Sequence, residues 1–254
     1  MILAIANKKG GVSKTTTAIA FSSILAKKGK RVLLIDIDPQ GNASMASGSN
    51  IEYMGVYELL AGEELHDITQ QAEAGYDFIS ADSTLNQNID KLPNIGKELL
   101  LSRALENHLK DYDYIIIDTP PSMGFFTISA LIAADSVLIP CRANRFTAEG
   151  LSELWENIKT VRRVYKHPLK VEGLLINCTD PRTNIAKQLI PHFEKTAKEM
   201  DSKVYKSMIR RDIKLEESQL VQEDILSFSP NSHAVEDYTA AVNEFLGEGL
   251  LCQN

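Results

Sequence analysis

Short apolar runs alternate along this chain with longer stretches in which aliphatic residues recur every three or four positions. The opening run MILAIA, residues 1–6, reads as a buried strand. A glycine-bearing loop follows. Then TTTAIAFSSILAKKG, residues 15–29, carries alanines and spaced aliphatics up to Gly29 and predicts a helix with a glycine stop. KRVLLIDIDPQ, residues 30–40, is a second buried strand closed by Pro39. Further strands are predicted at 76–81, 112–118, 136–140, 171–177 and 203–209. Helical spacing fills the intervals. It is clearest over 147–165, where Leu151, Leu154, Ile158 and Val161 share one face, and it returns over about 232–247. Strands that alternate with helices predict an α/β fold whose mostly parallel central sheet is covered on both faces. No internal repeat or linker rich in Pro, Gly or Ser interrupts the 254 residues, so one domain over 1–254 is expected, with no helix-turn-helix domain ahead of it.

Composition narrows the class. Charged residues make up 24% and hydrophobic ones 44%, the balance of an ordinary globular protein. No apolar run approaches the roughly 18 residues that span a bilayer, and six apolar residues before Asn7 are too few for a secretory leader. Cys141, Cys178 and Cys252 are odd in number and far apart, which argues against a disulfide framework or a zinc site and for a cytoplasmic setting. Net charge is −7, yet residues 159–214 hold 14 Lys or Arg against 6 acids, whereas 215–254 hold 8 acids and no Lys or Arg. A locally basic surface on an acidic molecule is the expectation.

The loop NKKGGVSKTT, residues 7–16, departs from the usual phosphate loop G-x-x-x-x-G-K-[ST]. Lys8 stands at the first glycine position and Ser13 at the second, while Lys14 and Thr15 are in place. The flanking strand and helix are the context such a loop needs. Its N–H groups and the start of the helix would converge on polyphosphate, Lys14 would neutralise the β- and γ-phosphates, and the Thr15 hydroxyl would ligate Mg²⁺. Asp118 ends the strand YDYIIID ahead of TPPS, on the ligand side of a parallel sheet, where a Walker B aspartate reaches Mg²⁺. Asp36 and Asp38 end the second strand two residues apart and point to one side, toward metal and attacking water. A dinucleotide-binding reading fails, because G-x-G-x-x-G is missing and the Lys-Thr pair would serve nothing there.

The motif K-G-G-x-x-K-[ST], with VLLIDIDPQGNAS and YDYIIIDTPPS behind it, resembles the ParA/MinD superfamily of P-loop ATPases. TDPRTN and MIRRDIKLEES resemble further segments of Soj-like ParA partition proteins. The likeness runs from residue 1 to about 247 and is loosest over 40–110. It implies a P-loop ATPase that hydrolyses ATP with Mg²⁺, slowly unless stimulated, and forms an ATP-dependent homodimer. It also implies non-specific binding of double-stranded DNA, association with the nucleoid when ATP-bound, no membrane attachment, and partition of a plasmid or chromosome with a ParB-like partner.

Residue by residue, the likeness makes Lys9 the amine that reaches the partner subunit's ATP, as an arginine finger does elsewhere. Residues Gly10, Gly11, Val12, Ser13, Lys14, Thr15 and Thr16 cradle the phosphates. Asp38 positions the water, Asn177 reads the adenine edge, and Arg182, Arg211 and Lys214 contact DNA. The 208–219 segment departs from the family, with Arg210 in place of Pro, Lys214 in place of Arg, and Glu216 to Gln219 in place of Ser-Glu-Ala-Pro. Three related readings remain. A MinD-like membrane switch would carry basic residues in a C-terminal amphipathic helix, but NEFLGEGLLCQN has none. An iron-protein-like electron-transfer ATPase needs cysteines between Asp118 and Pro140, and there are none. Positioning of a protein cargo would use the same machinery.

Overall fold

A computed structural model describes residues 1–49, 54–81, 85–143, 147–180 and 183–248, the side chains of 147–150 and 185 excepted. Seven strands form one sheet in the order β3-β4-β2-β5-β1-β6-β7. They are β1 (Ile2–Ile5), β2 (Val32–Asp36), β3 (Gln70–Gln71), β4 (Asp77–Ile79), β5 (Tyr114–Asp118), β6 (Ser136–Arg142) and β7 (Lys170–Asn177). Only the short edge strand β3 runs antiparallel. The helices before β5 are α1 (Lys14–Lys27), α2 (Asn42–Ala46), α3 (Val56–Ala61), α4 (Leu65–Ile68), α5 (Leu85–Asn88) and α6 (Leu100–Glu106). After it come α7 (Phe125–Ala133), α8 (Thr147–Val164), α9 (Asn184–Glu199), α10 (Ile213–Leu220), α11 (Ile225–Phe228) and α12 (His233–Phe245).

The two-residue period of the strands divides the core. Ile2, Ala4, Leu33, Ile35, Ile115 and Ile117 face one side, where α3 and α6 to α9 pack. Leu3, Ile5, Val32, Leu34 and Ile116 face the other, beneath α1 and α12. Burial on both faces is why these strands are apolar throughout. Helix α1 is buried nearly all round, between the sheet and α12, and its Phe21 ring lies 5.8 Å from Phe245. Among the described residues, no helix is long and apolar enough to cross a membrane.

One predicted strand is corrected. Residues 203–209 join the sheet only through single bridges, Val204 to Leu174 and Ile209 to Asn177. Between those bridges the N–H groups of Lys206 and Ser207 donate to the Glu244 carboxylate of α12, at 3.1 and 3.0 Å, instead of extending a ladder. The same segment sets the Tyr205 ring on Gly173, where a Cβ would overlap the ring. Gly173→Ala should therefore cost about 1–3 kcal/mol and lower the melting temperature. Thermal unfolding of this variant with and without Tyr205→Leu checks the cause, since the pair should lose less than the sum of the single changes.

Candidate functional site

Register sets the site. β5 lies between β1 and β2, pairing Asp118 with Ile5 on one side and with Asp36 on the other. All three strands end together, and the loop leaves β1 directly above the two carboxylates. Asn7 shapes the loop: its amide donates to the Pro140 carbonyl at 2.8 Å, and its Oδ1 accepts from the Lys9 N–H at 3.0 Å. At the other end Ser13 adopts φ 71°, the left-handed backbone that glycine supplies in the usual loop. For a non-glycine residue this costs about 1 kcal/mol, held at a functional turn.

Lys14 folds back over the loop, and its ammonium donates to the Lys9 carbonyl at 3.3 Å. It is 7% exposed. Burial lowers its pKa, against the opposing pull of Asp118 and Asp38. Asp118 is wholly buried, and neither of its oxygens completes a hydrogen bond. Burial and the nearby Asp36 drive its pKa well above the usual carboxylate range, while the neighbouring Thr15 hydroxyl and Lys14 pull the other way. Asp36 is placed differently. Its Oδ1 accepts from the Asp38 N–H, and its Oδ2 accepts from both the N–H and the hydroxyl of Ser44, at 2.8 and 2.7 Å. Burial pushes its pKa up to about 6, against those three hydrogen bonds. Asp36 thus orients the turn that carries Asp38, and Asp118 keeps its lone pairs for something else. Asp38 opens to the cleft, one oxygen accepting from the Gln40 N–H at 3.1 Å.

Three carboxylates therefore crowd one ammonium, and a divalent cation there would favour the ionised carboxylates over the protonated forms that burial favours. Among the described residues no three His, Cys, Asp or Glu side chains converge to hold a metal alone. That fits Mg²⁺, which keeps several waters and takes phosphate oxygens beside one or two protein ligands. Thr15 and Asp118 are the groups left to hold it. The cleft above measures about 470 Å³ and is walled by Gly10, Gly11, Thr16, Arg142, Leu215 and Gln219, among others. That size suits a nucleotide.

The remaining predicted residues are dispersed. Asn177 is fully buried and does not line the cleft; its amide donates to the Val12 carbonyl at 3.2 Å and to the Thr17 hydroxyl at 3.3 Å. These bonds brace the loop from below, and the Asn177 Oδ1 completes no hydrogen bond. Arg211 lines the cleft and donates to Glu216 at 3.2 Å, while Lys214 is exposed and bonded to Glu217 at 2.8 Å. Arg182 lies outside the described residues. Lys8 pairs with Glu153 of α8. Arg142 and Gln219 also wall the cleft, where only the fold brings them, and Ser44, the last residue of the VLLIDIDPQGNAS motif, holds Asp36.

Known proteins resemble this chain along most of its length. A family described as AAA domain matches residues 1–171. The sporulation initiation inhibitor protein Soj of Bacillus subtilis is 41% identical over 98% of this chain and 99% of its own. The chromosome partitioning protein ParA of Myxococcus xanthus is 35% identical over 96% of this chain and 87% of its own.

The chain belongs to the ParA/MinD superfamily.

It is similar to the Soj-like ParA proteins in particular, and it is a ParA-type partition ATPase. A solved structure, cobyrinic acid a,c-diamide synthase from Mycobacterium smegmatis with an ATP analogue and magnesium, superposes with a TM-score of 0.80 at 29% identity, over 96% of this chain and 93% of that one. ATP and Mg²⁺ are accordingly the ligands of the ParA-type cleft. Mg²⁺ when bound screens phosphate charge. The groups on hand to meet these ligands are the Lys14 ammonium folded over the loop, Asp118 with both oxygens unbonded, and Asp38 at the wall of the cleft. Lys14→Ala should weaken ATP binding at least a hundredfold, checked by titration calorimetry, because the loop loses its buried cation.

Proposed function

We propose that this ATPase works as a two-chain switch. ATP closes a sandwich dimer, the Lys9 ammonium of each subunit reaches the nucleotide held by the other, and Asp38 directs the hydrolytic water. The closed dimer binds double-stranded DNA without sequence preference and associates with the nucleoid. A ParB-like partner accelerates an otherwise slow Mg²⁺-dependent hydrolysis and releases it, moving a plasmid or chromosome. The observation that carries this reading is the pinned loop: Asn7 holds the Lys9 N–H and Lys14 holds its carbonyl. The Lys9 backbone is fixed at both ends, and the residue is half-buried. A cation presented this way suits a phosphate brought by another chain.

The DNA step is tested by retention of purified protein on random duplex DNA. Retention should require ATP and fall with salt by about 0.9 log units per log salt for each phosphate contact. Equal retention with ADP, or none at low salt, defeats it. The ion pairs around 211–217 add a prediction. Because Glu216 and Glu217 hold the Arg211 and Lys214 side chains, Glu216→Gln with Glu217→Gln should raise DNA affinity about three- to tenfold at low salt. Fluorescence anisotropy of a labelled duplex reads this directly.

A further inference from the structure

The geometry points to Arg142 as a further phosphate contact of the ATP cleft, made by the same chain that holds the nucleotide. Arg142 is the last residue of β6 and pairs in register with Asn177, the last residue of β7. β6 lies beside β1, and two residues before Arg142 the Pro140 carbonyl accepts from Asn7, where the loop begins. Arg142 itself is exposed and walls the cleft. The end of β6 thus carries a cation to the flank of the phosphate loop.

The guanidinium rests on a sulfur. Its Nη2 donates to the Cys178 Sγ at 3.2 Å, and that sulfur lies 3.9 Å from the hydroxyl of Ser13, one residue before Lys14. Cys178 has φ 53° and Ser13 φ 71°, so two left-handed turns at non-glycine residues bring thiol and hydroxyl together. The Arg142 charge is also felt at the buried Tyr238 phenol, whose pKa burial raises and Arg142 pulls down. That phenol oxygen is 3.2 Å from the Thr17 hydroxyl of α1. Ser13 and Thr17 bracket Lys14, Thr15 and Thr16. The field of Arg142 therefore covers the stretch of loop and helix on which phosphate is expected.

The chemistry of the sulfur contact makes it a resting place. A thiol sulfur is a weak acceptor, whereas the planar fork of a guanidinium matches two oxygens of one phosphate. Leaving Cys178 costs little, and a charge-assisted bond to phosphate replaces it. Arg211, the other arginine of the cleft wall, is placed differently, because it is bonded to the Glu216 carboxylate at 3.2 Å and phosphate would have to compete with a full negative charge. Lys14 alone is one positive charge against a polyphosphate. Arg142 adds a second from the same chain, ahead of any amine that a partner brings.

This contact needs only the ATP cleft, so it holds in a chain that never pairs with another. The test is titration calorimetry of the full chain with a non-hydrolysable Mg-ATP analogue, and separately with Mg-tripolyphosphate, which has no base or sugar. Wild type, Arg142→Gln and Arg142→Lys are compared, each also with Lys9→Ala. Arg142→Gln should bind both ligands about tenfold more weakly or worse, with and without Lys9, and the loss should shrink as salt rises. Arg142→Lys keeps the charge without the fork and should stay within about threefold of wild type, which keeps the test sound if the glutamine variant folds poorly. Affinity of Arg142→Gln within about twofold of wild type overturns the assignment, since a charge-assisted bond is worth more than that. So does a loss seen with the analogue but not with tripolyphosphate, or Arg142→Lys as weak as Arg142→Gln. A loss that disappears in the Lys9→Ala background also overturns it, because the guanidinium would then serve the contact between subunits.

Discussion

Asp118→Asn is expected to make the nucleotide-free protein more stable while cutting ATP turnover about a hundredfold or more. Both halves come from one observation, a fully buried carboxylate whose two oxygens complete no hydrogen bond and whose neighbours include two further carboxylates. An ionised group in that position costs the fold roughly 1–3 kcal/mol. The asparagine amide carries no charge and can donate to Asp36 or Asp38. The sign with pH follows. Because the folded-state pKa of Asp118 is raised, the carboxyl is protonated in both folded and unfolded chains below the ordinary aspartate range, and the cost disappears there. Above the raised pKa the cost is fully present. The stability advantage of the variant should thus be small near pH 4, grow as pH rises, and be largest at neutral to alkaline pH. In wild type alone, Mg²⁺ with ATP should recover much of the difference, since binding to the folded state adds stability by mass action. Melting temperatures across pH, with and without Mg-ATP, check this. A variant less stable than wild type at pH 8 would mean that Asp118 is held by something other than the balance described.

How much of this was legible in the sequence depended on how local the cause was. The order β1, loop, α1, β2 could be read because unbroken apolar runs, Gly10–Gly11, Gly29 and Pro39 punctuate the chain within a few residues of each boundary. The carboxylates at the ends of β2 and β5 could be placed on the ligand side for the same reason. The 203–209 segment could not, since its β-like pattern is overruled by a carboxylate on α12, some forty residues later. The roles of Asp36 and Asn177 were likewise set by partners from elsewhere, Ser44 for one and Val12 and Thr17 for the other.

Charge gave the sharpest case. Residues 159–214 are basic when counted along the chain. In space, however, Arg210 is bound by Glu236 and Asp237, Arg211 by Glu216, and Lys214 by Glu217. The acidic end of the chain folds onto its basic neighbour, and much of the counted excess is spent internally. A sum over sequence cannot register that.

The second large effect concerns the lysine ahead of the glycine pair. Lys9→Ala should leave one chain's grip on ATP nearly intact, because the loop's turn is held by backbone groups and the buried cation there is Lys14. What it should remove is the attraction between one subunit's amine and the other's nucleotide, a contact worth several kcal/mol in a water-excluded site. Light scattering of wild type and Lys9→Ala, each with a non-hydrolysable ATP analogue and with ADP, is the most direct measurement. A doubled mass for wild type with the analogue alone, and a single-chain mass for the variant in both nucleotides, is the predicted result; a variant that doubles its mass as wild type does would contradict the account.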